Sequence, residues 1–462
     1  MSSFGQEVKI SRDINIRNDF AYDLMSLEDR IIFYRDKGFE YYIDIFDQDL
    51  NFKRTQELVF DEKRLFIEAI QNIDSGFVIY HSFKKKDKFT IRAIRYDKEA
   101  TVQDTLLISE SEEVLPIGDL KYAYSEDKSI LLLFAYEKNK IYSFTVDVRK
   151  FEVLSAHIFD LVGNKSSIGD FEEVVVNNKG EVFFLFQKER SSWSSKDKGM
   201  ILIRIDNGLL NLNYISCLDG TCDDPKLAID NINKNIVIAG LWGEDDETET
   251  YGYYIFRESI SELQIQKERE VSLFVYDDDI LIDLNGVAKK AKKNRLLDFF
   301  AKDVILRTDG GILLIAEMQR EFSRRSAGSP AIDRSMIATR GYTDYYKDDL
   351  IIFSLNPDGE LHWRKILFKK QFSQDDEGIY SSYFLMKVPS QLHIIYNDEI
   401  KNNSTVSEYI IDPLGNFERN SLLSTEYKNL KLRFRDGIQI SGNSFVVPSE
   451  KNAKVNLVKV EY

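Results

Sequence analysis

Asn178-Lys-Gly-Glu-Val-Phe-Phe-Leu-Phe186 holds the pattern that decides the fold: a polar Asn/Gly turn leading directly into a short apolar strand. The device recurs along the chain. Asp74-Ser-Gly76 leads into Phe77-Val-Ile-Tyr80, Asp309-Gly-Gly311 into Ile312-Leu-Leu-Ile315, and Gly442-Asn443 into Ser444-Phe-Val-Val447. Gly and Asn supply the positive φ that tight hairpins require, and β-branched and aromatic residues favour the strands around them. A second hairpin recurs as well. Tyr42-Ile-Asp-Ile-Phe-Asp-Gln-Asp-Leu-Asn-Phe-Lys-Arg54, Leu350-Ile-Ile-Phe-Ser-Leu-Asn-Pro-Asp-Gly-Glu-Leu-His-Trp363 and Tyr409-Ile-Ile-Asp-Pro-Leu-Gly-Asn-Phe-Glu418 each read as strand, turn, strand. Two hairpins per unit give four strands, the content of a β-propeller blade.

The first apolar residue of each second strand sets the period. It falls at Ile31, Phe77, Ile130, Val182, Ile236, Ile312, Leu392 and Phe445, with spacings of 46, 53, 52, 54, 76, 80 and 53. Most of these sit near the kelch-like repeat length, and the two long ones mark insertions. The fold class is therefore all-β, a single β-propeller domain over residues 1–462 with eight blades; seven is the alternative, if one weak unit belongs to an insertion. The last unit offers only three strands. The opening segment Glu7-Val-Lys-Ile-Ser-Arg-Asp-Ile-Asn-Ile16 is expected to complete that blade and so remove an exposed edge. The signatures of named repeats are missing: no Trp-Asp pair recurs, Gly310-Gly311 stands as a single Gly-Gly, and three Trp are too few for a quinoprotein propeller.

Composition bounds the function. The chain has 462 residues, 43% hydrophobic and 30% charged, which excludes wholesale disorder. Length alone would suggest about three domains, but a repeat overrides that count. With 62 Lys and Arg against 77 Asp and Glu, the net charge is −15, a poor match for nucleic acid. No apolar run is long enough for a transmembrane helix.

Two insertions interrupt the repeat. Residues 285–301, Asn-Gly-Val-Ala-Lys-Lys-Ala-Lys-Lys-Asn-Arg-Leu-Leu-Asp-Phe-Phe-Ala, are rich in helix formers and read as a short basic helix. Residues 323–347, rich in Ser, Gly and Arg, read as a loop leaving a hairpin. From Val287 to Lys347 there are 13 Lys or Arg and 7 Asp or Glu, so +6, which leaves −15 − 6 = −21 on the remainder. The acidic run Glu244-Asp-Asp-Glu-Thr-Glu249 faces this insertion in sequence order. Such charge runs are often just solvated or loosely paired. The sharper reading is a partner-docking surface, with Arg324, Arg325, Arg334, Arg340, Tyr342, Tyr345 and Tyr346 as its contacts, since Arg and Tyr are enriched at hot spots.

No catalytic site emerges. His81, His157, His362 and His393 lie in or beside strands of different units, and a lone strand His is more often packed than catalytic. There is no nucleophile elbow, P-loop or dinucleotide fingerprint. Tyr276-Asp-Asp-Asp279 and Asp223-Asp224 lack the alternating ligands of an EF-hand, so no metal and no cofactor is assigned. Paired carboxylates of glycosidase type are too easily found in an acidic chain to choose among. The expectation is a protein without enzymatic activity.

The start Met1-Ser-Ser-Phe-Gly-Gln6 resembles the tail of a secretory signal peptide with an added Met, which implies an exported protein; a native cytoplasmic start is the alternative. In an oxidising compartment Cys217 and Cys222, in Ser216-Cys-Leu-Asp-Gly-Thr-Cys222, are placed to close a small disulfide loop. Zinc would need further Cys or His beside them.

Arg307-Thr-Asp-Gly-Gly-Ile-Leu-Leu-Ile-Ala-Glu317, Tyr345-Tyr-Lys-Asp-Asp-Leu-Ile-Ile-Phe353, Lys369-Lys-Gln371 and Tyr380-Ser-Ser-Tyr-Phe-Leu385 resemble a family of exported β-propeller proteins of Bacteroidota. In overall character and size the chain also resembles the plug component of the type IX secretion translocon, which blocks the periplasmic mouth of a very large outer-membrane barrel. The resemblance implies a periplasmic or cell-envelope propeller that binds a protein partner, such as an outer-membrane translocon barrel. The alternative is a propeller enzyme or carbohydrate-binding module with its site in the central channel.

Overall fold

Alternating side chains of one strand feed two different cores, and this explains the continuous apolar runs. In Ile130–Glu137, Leu131 and Leu133 pack with Val78, Tyr80, Phe144 and Val146, while Leu132 and Phe134 pack with Phe184, Phe186, Ile201 and Ile203. The next sheet repeats the arrangement: Phe184 and Phe186 face back, and Phe183 and Leu185 face forward to Ile236, Ile238 and Tyr254. A strand between two sheet faces has no solvent side, so both phases of its period-2 pattern must be apolar.

The computed structural model describes residues 6–137, 140–161, 168–188, 199–218, 220–244, 248–265, 267–277, 279–285, 295–324, 342–398, 400, 405–424 and 430–462. They form an eight-bladed β-propeller of antiparallel sheets in sequence order. Blade 1 is Ala21–Ser26, Arg30–Asp36, Tyr41–Asp47 and Phe52–Leu58; blade 2 is Phe66–Ile73, Gly76–Lys85, Lys88–Asp97 and Val102–Ser111. Blade 3 is Lys121–Tyr124, Ile130–Glu137, Lys140–Asp147 and Glu152–Asp160; blade 4 is Ile168–Val176, Val182–Lys188, Gly199–Asp206 and Leu209–Ser216. Blade 5 is Thr221–Asp230, Asn235–Gly243, Gly252–Ser259 and Ser272–Val275; blade 6 is Phe299–Leu306, Ile312–Arg324, Tyr342–Leu355 and Leu361–Leu367. Blade 7 is Phe384–Val388, Gln391–Asn397, Thr405–Ile411 and Phe417–Ser424. Blade 8 takes Ile438–Ser441, Ser444–Lys451 and Lys454–Glu461 from the end of the chain. Its remaining edge is filled by Glu7–Ile10, in register from Glu7 opposite Glu461 to Ile10 opposite Val458, and by Ile14–Asn15. All eight expected second strands are second strands, the N-terminal segment completes the last blade, and the seven-blade alternative falls.

Residue contacts group the chain into two compact units. One holds residues 1–59, 317–351 and 363–462; the other holds 60–316 and 352–362. The turns share one chemistry. The side-chain oxygens of Asp47, Asp97, Asn177 and Asp412 each accept backbone N–H groups two and four residues on. Gly359 closes the turn that starts at Asn356, donating its N–H to the Asn356 carbonyl at 2.9 Å; its φ is +91°, and a Cβ there would lie 2.7 Å from Ile255 and Phe274.

The insertions differ from their reading. The expected basic helix over 285–301 is corrected: the helix is Ile280–Asn285, residues 286–294 lie outside the described residues, and Leu296–Leu297 and Phe299–Leu306 are strands. Ala, Leu and Lys favour a helix locally, but Phe299 and Ala301 are buried at strand spacing and Leu296 is buried in its own short strand, and packing overrides the propensity. The bland reading of the charges gains support at one point. Arg295 lies 2.6 Å from Glu249, beside the short pairing of Glu249–Thr250 with Leu296–Leu297. Residues 323–347 are not wholly a loop either, since the strands run to Arg324 and resume at Tyr342. Cys217 and Cys222 are joined as a disulfide, with Cα atoms 5.9 Å apart, inside the core of blades 4 and 5.

Candidate functional site

Blade 6 carries the feature that sets it apart. Ile312–Arg324 has 13 residues and Tyr342–Leu355 has 14, whereas the flanking Phe299–Leu306 and Leu361–Leu367 have 8 and 7. The two long strands therefore outrun their own sheet as a hairpin arm. The arm gains its own third strand. Gln371–Gln374 pairs antiparallel with it, from Asp344 opposite Gln374 to Lys347 opposite Gln371.

Aromatic and charged side chains clothe the arm. The Tyr346 ring lies 5.0 Å from Phe372, 5.8 Å edge-on from Phe322, and 5.7 Å from the Arg320 guanidinium. Arg320 donates to Asp348 at 2.6 Å, Gln374 donates to Asp344 at 2.9 Å, and Lys347 donates to Gln319. Phe322 and Tyr342 stand 51% and 48% exposed, so the arm offers aromatic area that nothing among the described residues covers. Tyr345 lies against Gly378; partial dehydration, then the charges of Glu321, Glu377 and Asp376, raise its phenol above the usual range.

A buried charge network fixes the base of the arm. Lys369 Nζ lies 2.7 Å from Glu317 Oε1, with neither side chain exposed. The same Nζ donates to the Lys347 carbonyl at 2.8 Å and to Gln371 Oε1 at 2.9 Å. Burial holds the Lys369 ammonium below its ordinary pKa, and the Glu317 charge opposes that shift. Gln371 donates to the Asn397 carbonyl at 2.7 Å and accepts from Ser382 N–H at 2.8 Å. Asn397 in turn donates to the carbonyls of Tyr380 and Leu432, each at 2.9 Å. Together these bonds link Glu317 and Lys347 of the arm, through Lys369, Gln371 and Asn397, to the segment entering blade 7 and to Leu432 before blade 8, so the arm stands on a buried, hydrogen-bonded foot.

Of the residues expected to bind a partner, Tyr342, Tyr345 and Tyr346 lie on one strand of this arm. Arg324 ends the other strand, and Arg325, Arg334 and Arg340 lie outside the described residues. Sequence reasoning missed Glu317, Lys369, Gln371, Ser382 and Asn397 as a unit. The four His are not brought together: they belong to strands or turns of blades 2, 3, 6 and 7. His393 Nδ1 lies 2.6 Å from buried Glu408, which also accepts from the Tyr462 hydroxyl. Among the described residues no three His, Cys, Asp or Glu converge as metal ligands.

No family model matches the chain, and no curated protein matches it. Solved structures similar to it are propellers at low identity. The Dos1 propeller is 9% identical over 98% of this chain and 94% of that one, with a TM-score of 0.45. An oligogalacturonate lyase in complex with manganese is 10% identical over 98% of each chain, with a TM-score of 0.42. Dipeptidyl peptidase 4 of Porphyromonas gingivalis is 10% identical over 93% of this chain and 56% of that one, with a TM-score of 0.43. The expectation of a protein without enzymatic activity is corrected by these neighbours, because a lyase and a peptidase stand among them. At such identities they transfer no residue and no substrate.

Proposed function

We propose that this propeller binds a protein partner through the arm of blade 6. One observation carries the reading: half-exposed aromatic side chains, Phe322 and Tyr342, stand on strands whose base is locked by the buried Glu317–Lys369 pair. Aromatic area presented by a rigid element loses little entropy on binding, which is the character of a hot spot. The partner on this reading is an outer-membrane translocon barrel, and the chain is an exported envelope subunit of a type IX secretion system. The buried Cys217–Cys222 disulfide supports the exported part, since such bonds persist in oxidising compartments. No helix among the described residues is long and apolar enough to cross a membrane.

A photo-crosslinking residue at Tyr342, expressed in the native envelope, tests this. The expected adduct is an outer-membrane β-barrel protein, absent when the crosslinker sits instead at the 82% exposed Phe20. No adduct at Tyr342, or equal adducts at both positions, would end the proposal.

A further inference from the structure

The arm of blade 6 keeps one edge covered and one edge bare. Arg307 N–H donates to the Gly311 carbonyl at 2.8 Å, closing the tight turn between Phe299–Leu306 and Ile312–Arg324. From that turn a strand of 8 residues reaches no further than Gln319, whereas Ile312–Arg324 has 13. In the sheet order the longer strand has Phe299–Leu306 on one side and Tyr342–Leu355 on the other, and no third neighbour among the described residues. Beyond Gln319 its outer side therefore meets no strand among the described residues. The opposite edge of the arm is finished differently, because the chain's own Gln371–Gln374 is laid along Tyr342–Leu355.

Folded proteins usually blunt a bare edge with proline or with outward charge. Arg320 to Arg324 contain no proline. The Arg320 guanidinium is held inward, at 2.6 Å from Asp348 and over the Tyr346 ring. The two faces of the edge differ in chemistry. Arg320 and Phe322 share one face, where Phe322 meets Tyr346 edge-on and stays 51% exposed. Period-2 alternation puts Glu321 on the other face with Gln319, which accepts from Lys347, and Glu321 is exposed.

We propose that Arg320–Arg324 takes up an extended segment of the partner as an added β-strand; the inference rests on the arm being the docking element. Outward N–H and C=O groups at ladder spacing are matched by another extended backbone, and the alternating side chains set which sequence fits. An apolar residue of the segment lies beside Phe322, and a Lys or Arg beside Glu321. A second copy of this chain matches the edge less well. Symmetric antiparallel pairing keeps each face with itself, so it brings only Gln319, Glu321 and Ser323 to Glu321, and none of these is a cation.

The test uses Glu321→Pro and Phe322→Pro, each in the chain that carries the photo-crosslinker at Tyr342. Neighbouring N–H groups of a strand point to opposite sides, so one proline breaks the ladder and the other removes only an outward donor. The variant that keeps the parent melting temperature is the informative one, and it should lose the outer-membrane adduct. A second measurement needs no variant. A fluorescent octapeptide of alternating Val and Lys, titrated into the parent at moderate salt, should bind saturably and at least about tenfold more tightly than the same peptide N-methylated at every residue. The inference is overturned if the two peptides bind alike, if neither saturates, or if the folded proline variant keeps its adduct. It is also overturned if the chain is a dimer that this proline dissociates, since the edge would then belong to a second copy. An adduct kept by the proline variant leaves the docking reading intact; a missing adduct in the parent ends that reading instead, and the peptide titration alone then decides the edge.

Discussion

At the scale of single residues, burial sets the chemistry of His81. It is 2% exposed, packs against Phe60 and Phe83, and has no partner for Nδ1 among the described residues. Dehydration first, and then the Arg92 charge, lower its pKa from 6.5 to about 4. The unfolded chain therefore binds this proton more readily than the folded one. Stability is full above the unfolded value near 6.5 and falls as pH drops toward about 4. The loss amounts to about 3 kcal/mol, since one pKa unit is worth about 1.4 kcal/mol. His81→Phe should flatten that slope, read as the difference between parent and variant urea midpoints at pH 7 and pH 4.5. Equal slopes would show that His81 does not bear the charge. Lys369 makes the opposite case, a buried charge kept by its partner. Lys369→Met leaves the Glu317 carboxylate buried without its cation and should cost about 3–5 kcal/mol. Adding Glu317→Leu should restore most of it. A neutral single variant would mean that the pair does not hold the arm.

At the scale of elements, the arm divides what the sequence reveals from what it conceals. Residues 323–347 read as a loop leaving a hairpin because Ser, Gly and Arg are frequent in them. Yet Asp344 to Lys347 are ladder residues facing Gln371–Gln374, and the Lys347 carbonyl receives the Lys369 ammonium. Replacing 323–347 with a short Gly-Ser turn should therefore lower the melting temperature clearly, whereas Tyr342→Ala at the exposed end should stay within about 0.5 kcal/mol of the parent. An unchanged melting temperature for the replacement would return the segment to the status of a loop. The second strands were legible for a physical reason: sandwiched between two sheet faces, they must be apolar at every position, as Ile130 to Phe134 are. The strand at Phe299 was not legible, because Leu, Ala and Lys beside it signal a helix and only tertiary packing decides otherwise. The arm's foot was half legible. Lys369, Gln371 and the Tyr380 segment stood out as sequence blocks, but their convergence on Glu317 is a product of topology that no local spacing encodes.

At the scale of the whole molecule, blade 8 joins the two distant stretches of chain, and its closure can be tested directly. Ile14 is buried with Leu24, Ile31, Val446 and Leu457, while Val8 and Ile10 pack beside Phe445 and Val458. Ser11 N–H donates to the Leu457 carbonyl at 2.9 Å, and Asp13 accepts from Lys454 at 2.8 Å and Asn456 at 2.9 Å. Burying Ile14 alone is worth about 1.5–3 kcal/mol, and the lost ladder adds to it. Deleting residues 7–16 would also uncover the edge of Lys454–Glu461, whose Val455, Leu457, Val458 and Val460 are fully buried. An edge of that composition recruits other strands. The deletion should therefore lower the melting temperature and turn reversible unfolding into aggregation, seen as light scattering that rises with protein concentration. Ile14→Ser should show the stability loss without the aggregation, because it keeps the ladder and removes only the apolar contact. If the deletion melts like the parent, or stays clear on heating, the N-terminal strands lie on the blade without holding it.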